Sequence, residues 1–220
     1  MRILRVSIRR KRINVIFFSE RVEIDGEFSD DGGLIIDRDV YERSGYAEGD
    51  DLSLDDIEQL SDCSRRARAY SRGLWLLDSR DYTRKGMFGK LKALYGEDAA
   101  NYAADRLCAA GFIDDERFAE RAARFMLEAN RSQRDTVSRL VRRGVPYAVA
   151  GDVTARVAAE EECDPVEQIK LLIDKKFSAR LTSGDRNERQ RVIAAIARKG
   201  FDFDDIRSAV SAYCDELFTD

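Results

Sequence analysis

Residues 137–145 read VSRLVRRGV, and residues 193–201 read IAAIARKGF. In both stretches apolar residues recur at helical spacing, and a glycine then precedes another apolar residue. Glycine is favoured just beyond the end of a helix, because the left-handed conformation needed there penalises residues with a Cβ atom. The same helix and the same stop occur twice, 56 residues apart, which indicates a tandem array of similar helical units.

Outward from these stretches, the helical period extends over most of the chain. Leu91-x-x-Leu94 is an earlier related stretch without the glycine–apolar pair, and a further apolar-periodic segment follows each copy, at residues 99–107, 148–157 and 206–217. Helix starts are marked by potential capping residues, which accept from the unpaired N–H groups of a first turn: Ser53, Thr83 and Asp164. Both prolines, Pro146 and Pro165, fall at predicted helix starts. We therefore expect about nine helices in three triplets over residues 55–220.

The N-terminal part has a different period. Apolar and polar residues alternate over residues 4–8 and again over 13–17, with a polar connection at 10–12, as in a hairpin. A short apolar run at 34–36 comes after a stretch rich in turn residues, and a short helix is predicted at 38–44, ended by a glycine. So small a β-rich module should be stable only when it packs on the helical part of the chain.

The charge distribution supports a boundary between these two parts. The whole chain has a formal net charge of −4, yet residues 1–60 carry 9 basic against 15 acidic residues, and residues 61–220 carry 29 against 27. The acidic excess therefore belongs to the N-terminal module. No apolar run is long enough to span a membrane, and the basic N-terminus lacks the apolar core of a secretory signal. We expect a cytoplasmic protein.

The composition disfavours the commonest enzyme chemistries. Histidine is absent, which removes the most frequent general base and metal ligand, and no phosphate-binding glycine loop occurs. The four cysteines, Cys63, Cys108, Cys163 and Cys214, lack zinc-site spacing, so we interpret them as small apolar residues on helices. We expect no enzyme activity, no cofactor and no metal.

Two features around residue 115 allow a structural and a functional interpretation. Asp114, Asp115 and Glu116 could suggest a metal site, but three acids at a helix start are more typical of a cap with dipole partners. Phe112, Phe118 and Phe125 could form a platform for stacking bases, but their spacing favours an apolar core face. We predict the structural role in both cases.

Basic residues recur along the helical part and are candidates for contacting an acidic protein groove or DNA phosphates. As a purely structural feature, cations in a last helical turn simply favour the helix dipole, and that alternative stays open for the pairs at 142–143 and 198–199. The candidate basic track consists of Arg65, Arg66, Arg68, Arg72, Lys90, Lys92, Arg139, Arg142, Arg143, Arg198 and Lys199.

Several ordered motifs resemble those of the RecX family. Residues 107–119, LCAAGFIDDERFA, are similar to the family signature between the first and second repeats. Residues 131–145 resemble the second repeat, and KKF at 175–177 with RKGF at 198–201 resembles the third. Residues 46–53, YAEGDDLS, resemble the β-rich extension of RecX proteins from Gram-positive bacteria.

This resemblance implies a mostly α fold: three tandem three-helix repeats forming an elongated curved body behind the β-rich module. The expected domains are 1–52, 53–114, 115–162 and 163–220. The implied function is regulation of the RecA recombinase by a monomer that binds the RecA–DNA filament, with weak contacts to single- or double-stranded DNA within it. A DNA-binding transcription regulator of helix-turn-helix type is the alternative, although the helical part is nearly neutral rather than strongly basic.

Overall fold

The computed structural model describes residues 1–10, 12–182 and 185–217, so Lys11 of the predicted hairpin connection lies outside the described residues. The chain divides into two compact units, Met1–Ile113 and Asp114–Asp220. The first contains β1 (Ile3–Arg10), β2 (Ile13–Phe18), β3 (Leu34–Asp37), α1 (Arg38–Ser44), α2 (Leu54–Leu77) and α3 (Arg84–Ala109). The second contains α4 (Asp115–Glu128), α5 (Gln133–Arg142), α6 (Tyr147–Glu160), α7 (Pro165–Lys176), α8 (Ser178–Thr182), α9 (Arg186–Ala197) and α10 (Phe203–Leu217). The mostly helical class with a small N-terminal sheet is confirmed.

The sheet of the first unit is antiparallel with strand order β1-β2-β3. Its register places Val6 opposite Ile16 and Ile16 opposite Leu34. Ile16, Leu34 and Ile36 are fully buried in one apolar cluster with Ile57 of α2. The module is therefore held on the first long helix, as its small size requires.

Helices α2 and α3 form the second core of the first unit. Ser53 caps α2 by accepting from the backbone N–H of Asp56, whose side chain accepts in return from the backbone N–H of Ser53. A Cβ added to Gly73 of α2 would lie 2.6 Å from Leu107 Cδ1 of α3, so any larger residue there would displace the buried Leu107 side chain. Helix α3 is interrupted at Gly96, where φ is 80° and ψ is 175°, which separates the two predicted helical segments.

The second unit contains two apolar cores. Helices α4, α5 and α6 surround Leu127, Leu140 and Val157, and helices α7 to α10 surround a second cluster that includes Ile169 and Ile196. The predicted glycine stops are confirmed, since φ is 101° at position 144 and 87° at position 200. No helix within the described ranges is long and apolar enough to cross a bilayer.

One predicted internal equivalence is wrong. Leu94 is 60% exposed, whereas its supposed counterparts Leu140 and Ile196 are fully buried. The buried residue of the first copy is Leu91, and this half of α3 ends at Gly96, five residues further along. The other two copies place their glycine four residues after the buried residue, so the first copy contains one extra residue before its stop.

Two other predictions need correction. Phe112 and Phe125 are 51% and 73% exposed, so they are not core residues, and Phe118 is only partly buried. The inner face of α4 is instead formed by Ala119, Ala123, Met126 and Leu127, whose spacing places them on one side of the helix. Cys63 is exposed on α2, whereas the other three cysteines are partly buried against the apolar cores.

Candidate partner-binding surface

Two of the predicted contact residues are engaged with the N-terminal module. Arg65 Nη1 lies 2.7 Å from Asp25 Oδ2, and Arg68 Nη1 lies 2.6 Å from Glu27 Oε2. The arginine side chains are only 23% and 20% exposed. Both acids belong to the connection between β2 and β3, which we call the acidic loop (residues 19–33).

Part of the acidic excess of the N-terminal module lies in the acidic loop. It carries six acidic residues and a single basic one, Arg21. Hydrogen bonding to Asp25, supported by a second bond to Asp62, raises the pKa of Arg65 despite its partial burial. The loop therefore already provides Arg65 and Arg68 with the carboxylate contacts that an external acidic partner would offer.

Two other arginines of α2 stack on aromatic rings. The Cζ atom of Arg66 is 5.4 Å from the ring centre of Tyr102, and that of Arg72 is 4.0 Å from the ring centre of Trp75. The Trp75 side chain is 58% exposed, so this pair presents a flat cationic surface to solvent. Neither aromatic partner was predicted from the sequence, although the i,i+3 spacing of Arg72 and Trp75 could have indicated one of them.

The two predicted lysines lie on the first half of α3. Lys92 Nζ is 2.6 Å from Glu97 Oε2 and 5.5 Å from the ring centre of Phe88. Lys90 is exposed on the same helix. The first unit thus brings its six predicted cations onto α2 and α3, but at least three of them, Arg65, Arg68 and Lys92, are in internal ion pairs.

In the second unit, Arg139 is part of an internal ion-pair network. Its Nε donates to Asp135 Oδ2 at 2.8 Å, and Arg131 Nη1 donates to the same oxygen at 3.1 Å. Burial alone would raise the pKa of Asp135, but the hydrogen bonds from Arg139 and Arg131 outweigh it and lower that pKa. Arg139 is therefore better placed to stabilise α5 than to contact a partner.

The remaining predicted cations of the second unit form two separate pairs. Arg142 and Arg143 are exposed at the end of α5. Arg198 and Lys199 are exposed at the end of α9, where the carbonyl oxygen of Lys199 accepts a hydrogen bond from Ser132 at the start of α5. Because α5 has 10 residues at a rise of about 1.5 Å each, these pairs are roughly 15 Å apart along its axis.

The acidic cluster at the start of α4 has the predicted structural role. Asp114 Oδ1 accepts from the backbone N–H of Arg117 at 3.0 Å and caps the helix, with Asp115 and Glu116 in its first turn. Across the described residues, no group of three or more Cys, Asp or Glu side chains is arranged to hold a metal ion.

Comparisons with known proteins agree with this architecture. Residues 162–210 match the family model described as the third three-helix domain of RecX. The regulatory protein RecX of Mycobacterium ulcerans is 34% identical over 143 residues, which is 64% of this chain and 82% of the relative. The regulatory protein RecX of Trichlorobacter lovleyi is 29% identical over 152 residues, covering 68% and 94%.

Two solved structures have the same fold. A crystal structure of a regulatory protein RecX superimposes with a TM-score of 0.69 at 20% identity and covers 94% of this chain and 98% of its own. The crystal structure of RecX from Lactobacillus salivarius has a TM-score of 0.59 at 22% identity and covers 69% and 97%.

The successive helical units place the chain among the helical repeat proteins. Proteins of this class present extended surfaces to their partners. More specifically, the chain belongs to the RecX family of regulatory proteins.

Proposed function

We propose that this protein binds the RecA–DNA filament and inhibits the ATPase, strand-exchange and co-protease activities of RecA. The observation that carries the proposal is membership of the RecX family. In this account the protein is a cytoplasmic monomer without an active site or a cofactor of its own. It acts by occupying the filament, and it contacts DNA only weakly within it.

The two exposed basic pairs of the second unit supply the proposed contacts. Arg142 with Arg143 and Arg198 with Lys199 are separated along α5, so they can reach two different acidic points on a repeating partner. One molecule that contacts several protomers at once gains avidity, because each further contact is intramolecular. The proposed domains are 1–52, 53–114, 115–162 and 163–220. If one molecule contacts more than one protomer, a few molecules could affect many RecA subunits.

Charge reversal of these two pairs tests the proposal. The variant with Arg142, Arg143, Arg198 and Lys199 all changed to Glu is expected to lose at least about tenfold in affinity for RecA filaments on single-stranded DNA, as measured by co-sedimentation. Because acids at helix C-termini are unfavourable, a second variant with Gln at the same four positions keeps the fold while removing the charges.

A matched control separates this surface from a general effect of charge. The exposed residues Arg117, Arg186, Arg189 and Arg207 of the same unit give an equal charge change when replaced by Glu. The control variant should bind filaments within about threefold of the wild type, because rim charges away from a contact contribute little. Equal weakening by both sets, with helical circular dichroism preserved, would contradict the assignment of this surface.

A further inference from the structure

A groove of about 570 Å³ lies in the first unit between α1, α2 and the second half of α3. Among the residues of its wall, two tyrosines and two arginines contact one another. Arg66 lies over the ring of Tyr102, the Cζ atom of Arg106 is 5.2 Å from the ring centre of Tyr70, and Arg106 Nη1 donates to the hydroxyl of Tyr102 at 2.8 Å. The four side chains are thus in mutual contact and carry two positive charges, and Arg66 and Arg106 are exposed.

The acids that line this groove already have hydrogen-bond or ion-pair partners. Asp37 caps α1, Asp39 pairs with Arg12 at 3.3 Å, and Asp56 accepts from Ser53 at the start of α2. By contrast, no carboxylate within the described residues pairs with the guanidinium group of Arg66 or Arg106. The hydrogen bond to Tyr102 raises the pKa of Arg106, and both arginines are positively charged at neutral pH. The groove therefore offers two guanidinium groups to an anion.

The geometry points to a nucleotide-binding groove, and we propose that it takes a phosphate together with a planar base. Two guanidinium groups match the oxygens of a phosphate, which they bind in a fixed fork geometry. Arg66 covers one ring face of Tyr102 and Arg106 covers one of Tyr70, so a base would stack on the opposite face of Tyr102, which is 39% exposed. Gln59 and Ser71 on the same wall can donate to or accept from its edge. The volume falls within the range of small-molecule sites.

This inference is independent of filament binding and is tested on the isolated full-length protein without RecA. The probe is trinitrophenyl-ATP, whose fluorescence increases in an apolar site. Wild-type protein should give a saturable increase, and Arg66→Gln with Arg106→Gln should weaken binding of the probe by about tenfold or more through loss of two charge-assisted contacts. Arg72→Gln with Arg80→Gln is the matched control, because these arginines stack on Trp75 and Tyr82 at 4.0 and 4.6 Å but lie outside the groove.

Competition distinguishes the sources of the ligand. Displacement by AMP supports a free nucleotide, whereas displacement only by a single-stranded oligothymidine supports the same chemistry within a nucleic acid strand. Displacement by inorganic phosphate at the concentration at which AMP acts would overturn the role of the base. The proposal also fails if the wild type does not bind the probe, or if the double variant, with unchanged thermal unfolding, binds as the wild type does.

Discussion

The hydroxyl group of Ser132 donates a hydrogen bond to the carbonyl oxygen of Lys199 at 2.7 Å, across 67 residues of sequence. The hydroxyl oxygen of Ser132 in turn accepts from the backbone N–H of Asp135 at 3.1 Å and so caps α5. Ser132 is 4% exposed, so both bonds are sheltered from water. The Ser132 side chain therefore caps α5 and also hydrogen-bonds to the end of α9. It connects the helices that surround the two apolar cores of the second unit.

Replacing Ser132 by Ala should destabilise the second unit. The substitution removes a helix cap, at about 1 kcal/mol, and leaves the carbonyl of Lys199 without its partner, at about 1–3 kcal/mol. Urea unfolding followed by circular dichroism should show a lower midpoint. Ser138→Ala, on the exposed side of the same helix, is the control and should change little. Equal midpoints for both variants would show that the hydroxyl contributes nothing to this junction.

Replacing Gly200, on the other side of the junction, by Ala should destabilise the protein more than the same change at a glycine in an open turn. A Cβ at Gly200 would lie 2.8 Å from Ser132 Oγ and 3.3 Å from the backbone nitrogen of Asp135, in addition to the strain of a φ of +87°. Gly111 has a φ of +73° but nothing within 4 Å, so it reports the backbone strain alone. We expect Gly111→Ala to lower the free energy of unfolding by roughly 1–2 kcal/mol. Gly200→Ala should lower it by about 1–3 kcal/mol more. Urea unfolding midpoints check this, and equal losses would contradict the close approach.

Several helix ends along the chain were predictable because their causes are local. Gly144 and Gly200 follow apolar-periodic segments, and the capping side chains at Ser53, Asp114 and Asp164 stand directly before the helices they start. Such signals need only a few neighbouring residues, since the unpaired N–H and C=O groups of a helix end are satisfied nearby. The bond between Ser132 and Lys199 depends on tertiary packing, and no local pattern indicates it.

Removing the acids that pair with Arg65 and Arg68 should expose a basic surface with little loss of stability. Asp25 is 93% exposed, so Asp25→Asn with Glu27→Gln should lower the free energy of unfolding by less than about 1–2 kcal/mol. If α2 contributes to partner binding, the variant should inhibit RecA at lower concentrations than the wild type. Asp30→Asn, in the same loop, is the control. Weaker inhibition by the double variant would mean that the acidic loop itself makes the contact.

Asp135 should make the stability of the second unit sensitive to acid. Its pKa in the folded protein lies below the ordinary value of 3.8, so its contribution is present above that value and is lost as the pH falls through the folded pKa. The wild type should therefore melt higher than Asp135→Asn at pH 7, and the difference should shrink below about pH 4. Thermal unfolding monitored at several pH values measures this. A difference that stays constant down to about pH 3 would rule out the ion pairs with Arg131 and Arg139 as its source.

The candidate surface was less predictable than the fold. Sequence periodicity placed Phe112 and Phe125 in a core that is in fact filled by Ala119 and Ala123, because closely packed helices favour small residues at their contact. Likewise, Arg65 belongs to an ion pair with Asp25, 40 residues away, and only the folded chain brings these two charges together. The sequence positions of the basic residues therefore could not separate cations exposed at a helix end, such as Arg142, from those held in ion pairs, such as Arg65.

The most direct test of the central claim is the single-stranded-DNA-dependent ATPase of the cognate RecA, titrated with this protein from far below one molecule per RecA protomer. The account predicts inhibition at sub-stoichiometric amounts, because one bound molecule contacts several protomers. An unchanged ATPase rate up to stoichiometric amounts, with RecA filaments and the folded protein both confirmed in the assay, would contradict it.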